Sequence, residues 1–187
     1  MKPISELLEF SIINIDKPNG PTSFQVSDYV MNKLNLRKTS HLGTLDPGVS
    51  GVLPIALNRA CKLSTYLMKK DKSYVGVMRL HEDIDKENLK KEMKKFIGKI
   101  TQMPPVRSSV RREEREREVR KFELLEKEDK DVLFITEVEA GTYIRTLVND
   151  LGKEIGGAHM LELRRIKAGT FEEKNSHSLY EFDKAVQ

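Results

Sequence analysis

Tryptophan is absent from this 187-residue chain, and cysteine occurs once, at Cys61. A lone thiol excludes an internal disulfide, so a hydrophobic core must hold the fold, and the usage suits a reducing compartment. Aromatic residues make up only 6%, which is poor material for a nucleic-acid surface built on stacked bases. A phosphate-bearing partner would have to be held by Arg and Lys instead. No run approaches the roughly 20 apolar residues that cross a bilayer. The start, "MKPISELLEF", lacks the apolar stretch of a secretory signal. The four histidines, His41, His81, His159 and His177, are scattered without metal-ligand spacing, so no metal is expected. There is no Walker loop, no GxGxxG and no Ser/His/Asp order, so no nucleotide cofactor is expected either.

What is present is charge and a core-sized apolar fraction. Apolar residues are 38% and charged residues 33%, with 33 Lys and Arg against 29 Asp and Glu. A net charge of +4 leans towards phosphate-bearing partners. The length suits one domain with a real core.

Element signals mix along the chain. "SIINID" reads as a strand ended by the turn "KPNGP". "TSFQVSDYVMNKL" reads as a helix capped by Thr22 or Ser23, with Val26, Val30 and Leu34 at helical spacing. "VLPIAL" is a buried-strand candidate, and "RACKLSTYLMK" is helical with Ala60, Leu63 and Leu67 on one face. "KSYVGVMRL" is a strand. "DIDKENLKKEMKKFIG" is a helix capped by Asp85 and stopped by Gly98. "QMPPVRSSV" must be extended through its double proline. "KFELLEKEDKDVLFITEVEA" reads as a hairpin turning near Asp129-Lys130-Asp131. "GTYIRTLVNDLGKEIGG" is the clearest helix, with Thr142 as its cap. "AHMLELRRIKAGTF" follows as a strand and "SLYEFDKAV" as a closing helix. Strands and helices without strict βαβ alternation predict an α+β fold: a mixed, largely antiparallel central sheet flanked by helices.

Four features stand out, each with two readings. In "HLGTLDPGVSG", Asp46-Pro47-Gly48 has turn chemistry, with Gly48 suited to positive φ. Asp46 is then a turn former, or it is a carboxylate presented at the mouth of an apolar strand, needing a cation to stay ionised. Arg145 would be that cation, or an exposed helix arginine. Tyr74 would be a core or interface aromatic with a hydroxyl partner. "RREEREREVRK" reads as a salt-bridged, solvated face, with an RNA-backbone contact as the second reading.

Taken in order, the motifs resemble the TruB/dyskerin family of RNA pseudouridine synthases. "IDKPNGPTS" is similar to the family's Lys-Pro-x-Gly-x-Thr-Ser motif, and "HLGTLDPGVSGVLPIAL" to its catalytic motif. "KSYVGVMRL" matches the tyrosine-bearing strand, and "QMPPVRSSV" the Pro-Pro-x-x-Ser segment. "EAGTYIRTLVNDLG" matches the arginine-bearing helix and "GAHMLELRRIKAGTF" the Leu-Arg-Arg strand. Leu42 departs from the small residue common at its position.

The resemblance implies a pseudouridine synthase fold and an isomerase, an intramolecular transferase that turns uridine in RNA into pseudouridine. It implies no cofactor and no metal, because the change is redox-neutral. It assigns Asp46 to attack on, or deprotonation of, the ribose, Arg145 to an ion pair with Asp46, and Tyr74 to the flipped base. Leu163 would line the substrate pocket. His41, Arg164, Arg165 and Lys17 would be RNA-binding, with Lys17 also open to a structural role. "PISELLEFSIINIDKP", "MPPVRSSVRREEREREV" and "GAHMLELRR" resemble the dyskerin type. That branch implies tRNA or rRNA as substrate, an H/ACA guide RNA, companion ribonucleoprotein proteins and no membrane partner. Residues 1–187 are expected to form a single catalytic domain without the C-terminal PUA domain of dyskerin-type proteins. A cytoplasmic location is expected, nucleolar in a eukaryote. The competing reading is a non-catalytic RNA-binding scaffold subunit of an H/ACA-type ribonucleoprotein.

Overall fold

The structure, a computed structural model, describes residues 3–104, 111 and 113–187. In chain order the elements are α1 (Ile4–Glu9), β1 (Ile12–Lys17), α2 (Ser23–Lys33), β2 (Thr39–His41) and β3 (Val49–Leu57). A 3₁₀ segment (Asn58–Leu63) leads into α3 (Ser64–Met68), β4 (Lys72–Leu80), α4 (Lys86–Lys94) and β5 (Gly98–Gln102). Then come β6 (Arg115–Glu128), β7 (Asp131–Val138), α5 (Ile144–Glu154) and β8 (Ala158–Ala168). The chain closes with β9 (Phe171–Glu172), β10 (His177–Ser178) and α6 (Leu179–Val186). It divides into two compact units, Met1–Lys70 with Arg164–Gln187, and Asp71–Leu163.

In the first unit β3 is the central strand. Its apolar run is buried almost without alternation, as expected of a strand covered on both faces. β1 pairs with it antiparallel from Ile12↔Ala56 to Lys17↔Gly51, and β2 lies antiparallel on its other side, from Thr39↔Leu57 to His41↔Ile55. β10 joins β1 in parallel. Gly51 has φ 106°, and a Cβ there would sit 2.2 Å from the Arg165 carbonyl oxygen of β8. Only glycine allows so close an approach. α2 opens with a capping box between Thr22 and Gln25 and buries Val26 and Val30. Leu42 is buried against Ala56 and Ala60; two alanines make room for the larger residue that departs from the family pattern.

The second unit is an antiparallel run in the order β4-β7-β6-β5. The expected hairpin is β6–β7, closed by the two-residue turn Asp129-Lys130 between Glu128 and Asp131, with Asp129 at φ 49°. Phe122 and Phe134 pack edge-on within it at 5.5 Å. α4 is capped by Asp85, which accepts from Glu87 and Asn88 N–H, and buries Leu89 and Met93. α5 buries Ile144, Leu147, Val148 and Leu151, an apolar stripe at helical spacing. Among the described ladders within the units, β1–β10 alone is parallel. The fold is α+β, as the sequence predicts.

Four details differ from the sequence reading. "PISELLEF" forms α1, which no cap or stripe announced. "RACKLSTYLMK" breaks into a 3₁₀ segment and one short α-helix. α5 begins at Ile144, with Tyr143 rather than Thr142 as N-cap; the Thr142 hydroxyl instead donates to the Glu139 carbonyl at 2.8 Å. β6 starts at Arg115 and absorbs most of "RREEREREVRK", whose charges pair as Lys99–Glu116, Arg120–Asp71 and Lys121–Glu123. Of the Pro-Pro segment, residues 105–110 lie outside the described residues.

Candidate active site

The stretch between β2 and β3 presents Asp46 at a tight turn. Val49 N–H donates to the Asp46 carbonyl at 3.0 Å, the i to i+3 bond of a β-turn. Asp46 itself is exposed. Gly48 does not use positive φ; the left-handed glycine of the stretch is Gly43, at φ 113°.

What distinguishes this turn is how firmly its backbone is held. Ser23, the first residue of α2, is buried, and its hydroxyl donates to the Leu45 carbonyl at 3.0 Å and accepts from Leu45 N–H at 2.8 Å. Gly20 N–H donates to the Pro47 carbonyl at 2.9 Å. Lys17, with no exposed surface at the end of β1, donates to the carbonyls of Val49 at 2.8 Å, Pro47 at 3.2 Å and Pro18 at 2.8 Å. Arg165 on β8 is 1% exposed and donates to Val52 at 2.8 Å and Gly43 at 2.9 Å. The carbonyls on both sides of Asp46 are therefore satisfied by the protein, and the turn is preorganised before any ligand arrives. Burial pulls the Lys17 ammonium below the usual lysine range, and the charge of Asp46 opposes that pull.

The four residues assigned to RNA thus fall into three situations. Lys17 and Arg165 offer almost no surface to an RNA, and the bonds they make run to backbone carbonyls inside the unit. Arg164 is about one-third exposed and already carries two carboxylates, Asp16 at 2.8 Å and Glu173 at 2.5 Å, with Ser50 at 3.3 Å. His41 is half-buried, and its Nδ1 is enclosed with no partner among the described residues. Burial first, and then the nearby Arg165 charge, push its imidazole below the usual range. The neutral ring is therefore favoured at neutral pH.

Tyr74, Arg145 and Leu163 belong to the second unit. Tyr74 lies on β4 opposite Thr136 of β7 and is largely buried. Leu163 is half-buried on β8. Arg145 sits in the first turn of α5. That turn is set by Gln102, buried at the end of β5: its amide donates to the Tyr143 carbonyl at 3.2 Å and its oxygen accepts from Tyr143 N–H at 3.0 Å. A side chain 41 residues away thus fixes both backbone groups of Tyr143, the N-cap residue.

Ser23 and Gln102 are the positioning residues that sequence reasoning missed. Ser23 carried a signal, a small hydroxyl directly after a turn, but one that reads equally as a cap. Gln102 carried none. Among the described residues, no group of three or more His, Cys, Asp or Glu is placed to hold a metal.

Comparison with known proteins bears on all of this. Residues 31–144 match the TruB family pseudouridylate synthase N-terminal domain, and residues 145–187 the tRNA pseudouridylate synthase B C-terminal domain. A probable tRNA pseudouridine synthase B of Pyrococcus abyssi is 49% identical over 173 residues, covering 92% of this chain and 52% of the relative. The chain spans about half the length of the curated relatives it matches. A crystal structure of a Cbf5–Nop10–Gar1 complex matches with a TM-score of 0.94 at 46% identity, over 98% of this chain and 56% of the other. The structure of an H/ACA RNP bound to a substrate RNA containing 2′-deoxyuridine matches with a TM-score of 0.89 at 44% identity, over 98% and 55% of the two chains. The chain, with its clamped Asp46 turn, belongs to the TruB family of pseudouridylate synthases.

Proposed function

We propose that this chain catalyses the isomerisation of uridine to pseudouridine in tRNA or rRNA, with Asp46 as the catalytic carboxylate. The observation that carries the reading is the clamp around Asp46: an exposed carboxylate on a turn whose flanking carbonyls are held by Ser23, Gly20, Lys17 and Arg165. A turn with only a structural task needs no such precision. A carboxylate that must meet one ribose carbon does, because misplacement by about 1 Å can cost a hundredfold in rate.

The chemistry is balanced without a cofactor. The N1–C1′ bond of uridine breaks, the base turns, C5 bonds to C1′, the C5 proton leaves and N1 gains one. Asp46 acts on the ribose as the anion, by attack or by deprotonation. Arg145 is its ion-pair partner in this reading, as a guanidinium keeps a carboxylate ionised while its surroundings dry out. Tyr74 faces the extruded base and Leu163 lines its pocket. Extrusion costs a few kcal/mol, which contacts to the surrounding RNA must offset.

His41 is the best placed of the four assigned RNA contacts, on β2 leading into the Asp46 turn. Lys17 and Arg165 serve the RNA indirectly, by holding the turn. The relatives with H/ACA titles support a ribonucleoprotein setting with guide RNA and companion proteins, and the tRNA-named relatives support a tRNA substrate. The site of action in this reading is the cytoplasm, or the nucleolus in a eukaryote.

The test is tritium release from RNA labelled at uridine C5, on an unmodified tRNA transcript, with and without an H/ACA guide RNA and companion proteins. Asp46→Asn is expected to lower the rate by more than about a thousandfold while RNA affinity changes less than threefold. Equal rates in the two proteins would remove Asp46 from the mechanism. RNA binding by the wild type without any product, all partners present, would favour the scaffold reading.

A further inference from the structure

Between Asp28 and Asp71 the chain holds a single carboxylate, Asp46 itself. Over the same stretch it holds seven Lys and Arg: Lys33, Arg37, Lys38, Arg59, Lys62, Lys69 and Lys70. The fold sorts these cations. Lys33 pairs with Asp183 at 3.4 Å, and Arg37 grips Glu9 at 2.7 and 2.8 Å. Lys70 lies over the Tyr66 ring and donates to its hydroxyl at 3.0 Å. Lys38, Arg59, Lys62 and Lys69 are exposed. None of these four has a carboxylate partner among the described residues.

Three of the four are brought together by one residue. Asn58, held at φ 43°, accepts from the N–H groups of Arg37 and Lys38 at 3.2 and 3.3 Å, and donates its own N–H to the Lys38 carbonyl at 2.8 Å. That fixes the entry to β2 against the start of the 3₁₀ segment. In a 3₁₀ segment residues i and i+3 eclipse, so Arg59 and Lys62 stand one above the other. Lys38 is near enough to this segment for its charge to act on the Cys61 thiol. One turn on, Tyr66 is 63% exposed. The Ser64 hydroxyl donates to that of Ser40 at 3.0 Å, holding α3 against β2. β2 then runs three residues, roughly 10 Å, to His41 and on to the Asp46 turn.

We propose that Lys38, Arg59 and Lys62 form a phosphate-tracking dock that holds the substrate RNA backbone beside the nucleotide presented to Asp46. This rests on the RNA reading above and adds to it the surface that carries the strand. Cations kept away from carboxylates cost the fold self-repulsion; a phosphodiester chain offsets that cost and releases counterions as it binds. The dock reads no sequence, since point cations on phosphates position a strand without specifying it. The exposed Tyr66 ring beside the cations offers a base one stacking face.

The experiment is fluorescence anisotropy of a labelled unmodified tRNA transcript against the chain, from 50 to 300 mM salt. The dock variant is Lys38→Gln/Arg59→Gln/Lys62→Gln. The control is Lys86→Gln/Lys91→Gln/Lys94→Gln on α4. The dock variant is expected to bind at least tenfold more weakly at 0.1 M salt. Its log–log salt slope should fall by roughly two to three, at about 0.7 to 0.9 per lost phosphate contact. The control should stay within twofold. Arg59→Lys/Lys62→Arg, which keeps the charges, should bind as the wild type does. Equal losses in dock and control variants, or an unchanged slope, would overturn the dock. So would competition by poly-L-glutamate as effective as by RNA, which would mark the surface as a site for acidic protein. A wild type that binds no RNA at all is a different result: it removes the RNA reading itself.

Discussion

The two units differ in the balance of their charges. The second carries 19 Lys and Arg against 20 Asp and Glu, and the first 14 against nine. In the second unit cations meet carboxylates across neighbouring segments: Arg79 takes Asp131 with two bonds of 2.7 Å, Arg120 takes Asp71 at 2.7 Å, and Lys99 takes Glu116 at 2.8 Å. These are solvated pairs that set register and solubility and add little stability. In the first unit Lys33, Arg37 and Arg164 also hold carboxylates, but Lys17 and Arg165 are taken inside and bonded to backbone carbonyls, and Lys38, Arg59, Lys62 and Lys69 lie on the surface without a carboxylate among the described residues. The difference teaches that a cation's role follows from its counterpart. Paired with a carboxylate in water it is surface; paired with a carbonyl out of water it is scaffold; paired with nothing it is available to a ligand.

The sharpest way to break that comparison is Lys17→Met. The side chain keeps its volume but leaves the Val49 carbonyl without its lysine donor in a dry setting, and the Pro47 carbonyl with Gly20 N–H alone. A loss of about 2–4 kcal/mol in unfolding free energy is expected, read by urea denaturation, together with a larger fall in kcat than in RNA affinity. A variant as stable and active as the wild type would show that Lys17 is not scaffold. Gln102→Leu makes the matching test in the second unit with a neutral side chain. It strips both bonds from Tyr143, so a drop of about 1–3 kcal/mol is expected. Gln102→Glu should rescue part of that drop, since it still accepts from Tyr143 N–H. The smallest effect belongs to Lys99 and Glu116. A double-mutant cycle on this exposed pair should show coupling near the limit of detection at low salt and none in 0.5 M salt. Strong, salt-resistant coupling there would erase the contrast drawn between the units.

Much of the fold was legible from local chemistry. Thr22, Asp85 and Ser178 cap their helices with bonds to residues two or three positions on, so a short window of sequence suffices. The β6–β7 hairpin turn and the apolar stripe of α5 are equally local. The start of α5 was misread because it is set from a distance: Gln102, on a different strand, holds both backbone groups of Tyr143, and Thr142, the obvious candidate, donates to the Glu139 carbonyl instead. Gly48 was misjudged for a related reason. Pro47-Gly48 has turn chemistry, but the φ > 0 demand falls on Gly43, whose carbonyl accepts from the distant Arg165 guanidinium.

The site followed the same division. Asp46 was visible as an isolated carboxylate in a turn leading into a core strand. Arg165 read as an RNA contact, and Lys17 as an RNA contact or a structural residue, because a cation in a motif of a nucleic-acid enzyme faces phosphate by default. Sequence by itself determined the caps, the hairpin, the buried β3 run and the carboxylate-poor stretch around Asp46, since each depends on neighbours a few residues apart. Tertiary structure alone decided which cations are scaffold and which are surface. The partners of Lys17 lie up to 32 residues away and those of Arg165 up to 122. Whether an ammonium or guanidinium bonds to water or to a carbonyl turns on burial, which exists only once distant segments have packed.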